Sequence, residues 1–282
     1  MDDGGANRLG DYLRARRGLV TPEQAGIPPG SHRRVAGLRR EEVALLAGIS
    51  ADYYLRLERG RDTNPSPQVL SALARVLHLD EVEHQHLLAL ATPTRRARPR
   101  VRPERVPDRL HHLLAALEVP AFVEGRAFDV LASNPLALAF SPRLRPGENR
   151  LRSLLLDPEE REFHVDWEAA TAEFVGSFRG SVGADDGDPR IVELVGELSL
   201  ASARFRALWA RHDVRRLEGG TTTVVHPVVG ELRLHRDKLP VAGLTLVLYY
   251  ADVGSDSAGK LQALASLARA GSRPPAAVQQ ES

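Results

Sequence analysis

A short segment of charged and polar side chains, residues 38–62, contains the residue types that bind nucleic acid: LRREEVALLAGISADYYLRLERGRD. Helical spacing places Ala51, Asp52, Tyr53 and Arg56 on one outward face. Because a guanidinium can donate two hydrogen bonds to guanine O6 and N7, we expect Arg56 to distinguish bases in DNA. Asp52 has three interpretations: an acceptor for cytosine N4, a brace for Arg56, or a structural residue.

Two helices must hold this face, and Gly48-Ile49-Ser50 separates them by a tight turn that suits a helix-turn-helix. The apolar pattern buries one side of each helix, through Val43, Ala44 and Ala47 in the first and Tyr54 and Leu57 in the second. Apolar periodicity predicts five helices, at about residues 9–16, 38–47, 51–59, 67–77 and 81–91. Ser50, Ser66 and Asp80 precede three of them as candidate N-caps.

Charge is unevenly distributed, although the whole chain carries only +1. Residues 31–61 hold seven arginines against four acidic residues, a net charge of +3. Residues 92–109 hold seven arginines, Glu104, Asp108 and four prolines, so they are interpreted as an extended basic linker. The linker arginines either add phosphate contacts or form a solvated spacer, and both interpretations stay open.

The segment 38–62 resembles the phage-repressor-like helix-turn-helix of the Xre class, and the resemblance extends over residues ~7–91. It implies that Ala51, Asp52 and Arg56 face bases and that Arg40, Arg59 and Arg61 face phosphates. It also implies an ion pair between Glu58 and a first-helix arginine, for which Arg16 is the candidate. The full set predicted to contact double-stranded operator DNA is Arg39, Arg40, Ser50, Ala51, Asp52, Tyr53, Arg56, Arg59 and Arg61. Such operators are usually two-fold symmetric, which favours a homodimer.

Length and composition limit the protein class. The 282 residues favour about two domains. No apolar run approaches the ~20 residues of a membrane span, and the N-terminus lacks a signal-peptide pattern. The chain has no Cys, which excludes disulfides and thiolate chemistry. We therefore expect a cytoplasmic protein that does not associate with membranes.

The pattern after the linker is mixed and predicts an α+β domain with an antiparallel sheet. Two short strands are expected at residues 121–124 and 128–132, followed by a helix that Asn134 caps. Helices dominate residues 150–211, and strands return at 221–225, 229–235 and 244–250 before a last helix at 257–270. The predicted domains are 1–91, the linker 92–109 and 110–270, with a disordered tail at 271–282.

Residues ~108–268 resemble the MmyB-like ligand-binding domain, through PAFVEGRAFDVLASN (120–134), DWEAATAEFVGSFR (166–179), SLASARFRALWARHDV (199–214) and HPVVGELRLHRDKL (226–239). The resemblance implies a PAS-like fold and an apolar, fatty-acid-like small-molecule effector. The predicted fold class is therefore an all-α five-helix helix-turn-helix domain followed by an α+β PAS-like domain.

The bulky apolar residues of the C-terminal half either line an effector cavity or fill an ordinary core. Trp167, Phe174 and Phe178 share one helical face, as in any core helix. Arg179 either binds a ligand carboxylate or lies on the surface. The predicted ligand-binding set is Phe122, Val130, Leu131, Phe140, Trp167, Phe174, Phe178, Arg179, Phe205, Trp209, Leu246 and Leu248.

No pattern with catalytic, metal-binding or cofactor-binding spacing is found, so no enzyme activity and no cofactor are expected. His84 and His86 point about 200° apart on a helix and cannot share a metal, so residues 78–86 are expected at the surface. Asp185, Asp186 and Asp188 lack the Glu of a calcium loop. The favoured function is a ligand-responsive transcription regulator. The alternative is an effector-independent DNA-binding protein whose C-terminal domain only dimerises.

Overall fold

The computed structural model describes residues 7–28, 33, 35–62, 64–92, 104–182, 188–215 and 219–271. The chain divides into two compact units that are not continuous in sequence. The first comprises Met1–Val101 with Ala172–Arg216, and the second comprises Arg102–Thr171 with Leu217–Ser282. A helical segment from the second half of the chain therefore folds with the N-terminal helices.

The described residues in the N-terminal part of the first unit form five helices, as predicted. They are α1 (Arg8–Leu19), α2 (Arg40–Ala47), α3 (Ala51–Glu58), α4 (Pro67–Val76) and α5 (Glu81–Ala91). The side chains of Ser50, Ser66 and Asp80 accept hydrogen bonds from backbone amides in the first turns of α3, α4 and α5. Each cap satisfies an amide that the helix itself leaves without an acceptor, which fixes where these helices begin.

In the segment of the first unit that comes from the second half of the chain, the described residues form α10 (Trp167–Val182), α11 (Pro189–Ala201) and α12 (Ala203–Ala210). Helix α10 begins in the second unit and continues into the first. A Cβ atom at Gly180 would lie 2.7 Å from the carbonyl oxygen of Arg215, so glycine permits this close approach of backbone after α12. Val214, only 3% exposed, joins the core that α1 to α5 build around Tyr12, Tyr54 and Leu57.

The second unit is built on a five-stranded sheet in the order β2-β1-β5-β4-β3, with every pairing antiparallel. Its strands are β1 (Ala121–Glu124), β2 (Val130–Ser133), β3 (Gly220–His226), β4 (Gly230–Val241) and β5 (Leu244–Tyr250). Its helices are α6 (Asp108–Ala116), α7 (Pro135–Phe140), α8 (Arg150–Leu156), α9 (Pro158–Phe163) and α13 (Asp256–Gly271), with a 3₁₀ turn at Pro142–Leu144. The predicted α+β class with an antiparallel sheet is confirmed.

Two strand boundaries differ from the expectation. Strand β2 begins at Val130 and not at residue 128, because Phe128 adopts a left-handed backbone, with φ of 64°, in the preceding turn. Strand β4 extends to Val241 because its ladder with β5 continues to a two-residue turn. The turn residues Ala242 and Gly243 have φ of 53° and 78°, the left-handed combination that favours tight hairpins.

The sheet has two apolar faces. Phe122 and its partner Val247 point into one buried cluster, which α7 and α13 cover. Val123 and its partner Leu246 point into another, which α6 covers. In the part of the chain that the structure describes, no helix is long and apolar enough to cross a bilayer.

Candidate functional site

The turn between α2 and α3 has the geometry that a helix-turn-helix requires. Gly48 ends α2 in a left-handed conformation, with φ of 69°, and the amide of Ile49 donates to the carbonyl oxygen of Ala44 at 3.0 Å. Ala44 is 2% exposed and Tyr54 is fully buried, so the two helices pack through a small and a large side chain. This packing turns the opposite side of α3 toward solvent.

The outward face of α3 carries the side chains that were predicted to read bases. Ala51 and Asp52 are exposed, and Tyr53 and Arg56 are half-buried. Arg56 Nη1 donates a hydrogen bond to Asp52 Oδ2, and the Arg56 guanidinium carbon lies 5.5 Å from the centre of the Tyr53 ring. Asp52 therefore braces Arg56, which is one of its three predicted roles.

Further arginines surround this face. Arg39, Arg59 and Arg61 are exposed, and Arg40 is half-buried. The Ser50 hydroxyl accepts a hydrogen bond from the Tyr53 amide at 3.1 Å, so its first role is to cap α3. The linker arginines at positions 95, 96, 98 and 100 lie outside the described residues.

Glu58 is the buried anion behind this surface. Its carboxylate is fully buried and accepts hydrogen bonds from Arg17 Nε at 2.7 Å and from Arg40 Nε at 2.6 Å. Burial alone would raise the pKa of Glu58, but the two guanidinium groups outweigh it and lower that pKa. Arg40 is thus anchored to the protein core at one edge of its guanidinium, while its side chain remains 43% exposed.

The first-helix arginine that pairs with Glu58 is Arg17 and not the predicted Arg16. One step along an α-helix rotates a side chain by about 100°, so neighbouring residues face different partners. Arg16 instead pairs with Glu83 at 2.9 Å and with Asp213 at 2.8 Å. It therefore joins α1 to α5 and to the segment after α12.

A cavity of about 300 Å³ lies within the first unit. Helices α1 and α5 supply one side of it, and α10, α11 and α12 with the residue segment after α12 supply the other. Its lining consists of Arg8, Asp11, His86, Leu90, Arg179, Val182, Ile191, Val192, Val195, Trp209 and His212. The lining thus combines aliphatic side chains with two arginines.

Arg179 is the central polar group of this cavity. Its guanidinium carbon lies 3.7 Å from the centre of the Trp209 ring, its Nη2 donates to the Trp209 carbonyl oxygen, and its Nη1 lies 3.3 Å from His212 Nδ1. Burial and the nearby charge of Arg8 lower the pKa of Arg179 to about 10, so it remains a cation at neutral pH. The predicted role of Arg179 in binding a carboxylate stays a prediction.

His86 contradicts the expectation that residues 78–86 lie at the surface. It is 9% exposed, and its ring contacts Tyr12 edge to face at 5.2 Å between centroids. Burial and the charge of Arg179 lower the pKa values of His86 and His212 to about 4, so both imidazoles are neutral at physiological pH. The spacing that separates His84 from His86 by about 200° indicates that one of the two faces the core.

The structure divides the predicted ligand-binding residues into several groups. Arg179 and Trp209 line the cavity of the first unit, and Phe178 and Phe205 pack on Trp209 with ring centroids 5.8 and 5.3 Å away. Buried Phe174 belongs to the same unit. In the second unit, Trp167 donates to the Leu154 carbonyl oxygen at 2.7 Å.

The sheet separates the remaining members. Phe122, Val130 and Phe140 belong to the cluster under α7 and α13. Leu131, Leu246 and Leu248 pack on the opposite face, under α6. Because successive side chains in a strand point to opposite faces, these two groups cannot line one cavity.

A second cavity, of about 420 Å³, lies in the second unit between α6, α7, the end of β5 and α13. Its walls include Leu114, Leu136, Leu261 and Ala265, and Arg269 lies at its edge. None of the twelve predicted ligand-binding residues lines it. Within the described residues, no cluster of three or more His, Asp or Glu side chains could hold a metal ion. Asp188 caps α11, while positions 185 and 186 lie outside the described residues.

Two family models match the chain. The model of the MmyB-like transcription regulator ligand binding domain matches residues 106–264, more than half of the sequence. A helix-turn-helix domain model matches residues 8–87. No curated protein matches the chain significantly. The predicted combination of a helix-turn-helix with an MmyB-like domain is confirmed.

Proposed function

We propose that this chain, which belongs to the MmyB-like transcription regulator ligand-binding domain family, binds a specific operator through α3 and senses an apolar, fatty-acid-like molecule. A helix-turn-helix joined to such a domain makes the protein a ligand-responsive transcription regulator. In this regulator, we assign base recognition to residues of α3, expect a fatty-acid-like effector and expect a homodimer.

The braced arginine on α3 is the observation that carries the DNA-reading part. Asp52 in the first turn of α3 and the neighbouring Tyr53 hold Arg56, which lies in the last turn, on the solvent-facing side of a helix whose other side is buried. A guanidinium held in this way loses less side-chain freedom on binding, and its remaining N–H groups can reach guanine O6 and N7 in the major groove. Arg39, Arg40, Arg59 and Arg61 surround it and would bind phosphates.

The effector class is supported by the family match and by the cavities. Both cavities are lined by aliphatic side chains together with arginine, a combination that suits a long-chain carboxylate. A homodimer is expected because two-fold symmetric operators present half-sites about 10 base pairs apart to two copies of one recognition helix.

Selection from random duplex DNA with the full-length protein tests operator recognition. We expect one enriched palindromic sequence, bound with an affinity that falls steeply as salt rises. The absence of any enriched sequence would contradict specific recognition, and enrichment of a single unrepeated half-site would contradict the dimer alone.

Native mass spectrometry of the purified protein, combined with melting curves in the presence of fatty acids, tests the effector. We expect a lipid-like molecule to co-purify or a fatty acid to raise the melting temperature. If neither occurs and fatty acids leave operator affinity unchanged, effector sensing is contradicted and the dimerisation alternative is favoured.

A further inference from the structure

The cavity of the first unit is not made by the ligand-binding match alone. Arg8 from α1 and His86 from α5 lie in the helix-turn-helix match, whereas Arg179 and Trp209 lie in the ligand-binding match. All four line the same space of about 300 Å³. Any molecule bound there would contact helices from both matches at once.

The charge of the lining favours an anion. Two guanidinium groups, Arg8 and Arg179, face the single carboxylate of Asp11, because the imidazoles of His86 and His212 are neutral at physiological pH. Among the described residues, no carboxylate forms an ion pair with Arg179. Asp213, the nearest acidic residue after α12, is engaged by Arg16 and Arg211.

The remainder of the lining favours an alkyl chain. Val182, Ile191, Val192 and Val195 from α10 and α11 form an aliphatic wall, and Leu90 of α5 adds to it. The volume lies at the small end of ligand pockets, which suits a medium-length chain better than a fused ring system. Trp209 stacks on Arg179 and so helps to hold the guanidinium in the lining of the same cavity.

We propose that this cavity is the effector site and that it binds a medium-chain monocarboxylate. Arg179 and Arg8 bind the carboxylate, and the aliphatic side chains of α10 and α11 contact the alkyl chain. Helices α1 and α5 form part of the site. The inference rests on the proposed function, because it places the effector of that function. It also gives the effector a direct contact with the DNA-binding helices. By thermodynamic linkage, the factor by which bound effector changes operator affinity equals the factor by which bound operator changes effector affinity.

The binding test uses decanoate as the probe and the full-length protein, with calorimetry as the readout. We expect Arg179→Gln and Arg8→Gln each to weaken decanoate binding by about tenfold or more, the cost of losing a charged hydrogen-bond donor. Decanol, which lacks the carboxylate, should bind weakly to the unmodified protein and equally weakly to both variants.

Arg179 also donates to the Trp209 backbone, so a second variant separates binding from folding. Val192 is 58% exposed, and its replacement leaves the core intact. Val192→Glu places a carboxylate at the cavity wall and should weaken decanoate binding, whereas Val192→Gln should retain it. Amide hydrogen exchange should show added protection on decanoate binding in α1, α5 and α10, and none in α6 and α13.

The outcomes separate the two hypotheses. If decanoate binds and changes operator affinity, but Val192→Glu and Arg179→Gln bind it as the unmodified protein does, the effector site lies elsewhere. The inference then fails while the proposed function stands. If saturated carboxylates from octanoate to tetradecanoate do not bind the unmodified protein, effector sensing of this class fails and the inference fails with it.

Discussion

Arg16 and Asp213 are 197 positions apart in sequence, and the Nη1 atom of Arg16 lies 2.8 Å from Oδ1 of Asp213. Arg16 belongs to the first helix of the helix-turn-helix match, and Asp213 belongs to the ligand-binding match. Both side chains are largely shielded, with exposed fractions of 12% and 19%. The DNA-binding helices and the helical part of the ligand-binding domain are therefore coupled by a partly buried ion pair.

This ion pair should contribute to the stability of the first unit. In a double-mutant cycle of Arg16→Gln and Asp213→Asn, we expect a coupling energy of about 1 to 2 kcal/mol, because the pair is screened from solvent. The matched control is the more exposed pair of Arg190 and Glu193 in the same unit, three residues apart on α11, for which about 0.2 to 0.5 kcal/mol is expected. Urea unfolding can be followed by Trp209 in the Trp167→Phe background, since the chain has two Trp residues, one in each unit. Equal coupling in both pairs would contradict the prediction.

Glu58→Gln should destabilise the first unit by about 3 kcal/mol at neutral pH, because the substitution leaves Arg17 and Arg40 without their buried anion. The pKa of Glu58 is lowered in the folded protein, so its contribution is complete above the ordinary value of 4.5 and is lost as pH falls below it. The deficit of the variant, measured by urea unfolding, should therefore shrink in acid. Glu41→Gln is the control at an exposed position of α2, and a deficit of similar size there would refute the explanation.

His212 should make the first unit sensitive to mild acid. Its pKa falls from 6.5 to about 4 on folding, so stability is complete above pH 6.5 and decreases as pH falls from 6.5 toward 4. Asn tolerates the left-handed backbone of residue 212, which has φ of 56°. His212→Asn should therefore reduce the stability lost between pH 6.5 and pH 4 by roughly 2 kcal/mol. His78→Asn is the control, because His78 is exposed and also has a positive φ, of 51°. An unchanged pH slope in His212→Asn would contradict the assignment.

Arg56 and Arg61 should affect DNA binding in different ways. We expect Arg56→Ala to lose about 1 to 3 kcal/mol of discrimination at one base pair of the selected operator, because it removes a base contact. Arg61→Ala should weaken binding to all DNA sequences alike. It should also reduce the slope of log affinity against log salt concentration by about one. Fluorescence anisotropy with single-base operator variants measures both effects. A uniform loss in both proteins would contradict the division of roles.

The helices and strands could be predicted because their signals are local. The caps Ser50, Ser66 and Asp80, the left-handed Gly48 and the alternating pattern of β5 each act within a few residues. The outward face of α3 follows from the same periodicity, which also indicated that Asp52 could brace Arg56. The rules that apply are those of capping and helical spacing.

The partners of distant segments could not be predicted in the same way. An amphipathic pattern shows that α10 and α12 bury one face, but not which element covers it, so the sequence does not separate Arg179 and Trp209, which lie in the first unit, from the predicted ligand-binding residues on the sheet. The choice between Arg16 and Arg17 depends on a rotation of about 100°, which the sequence of a short helix leaves open. Gly176 and Gly180 inside α10 are local signals that could have indicated this packing, since a glycine inside a helix often marks a close approach, here of Arg215.

The position of Val214 in the core of the first unit has a consequence for synthesis on the ribosome. Helices α1 to α5 emerge first, but the side chain that completes their core is added only after more than half of the ligand-binding match has been translated. Until then, the nascent N-terminal helices expose the apolar surface that Val214 and the residues around His212 later cover. The DNA-binding helices are thus translated early, but their apolar core is complete only after Val214 has been added. A fragment that ends in the linker corresponds to the nascent intermediate.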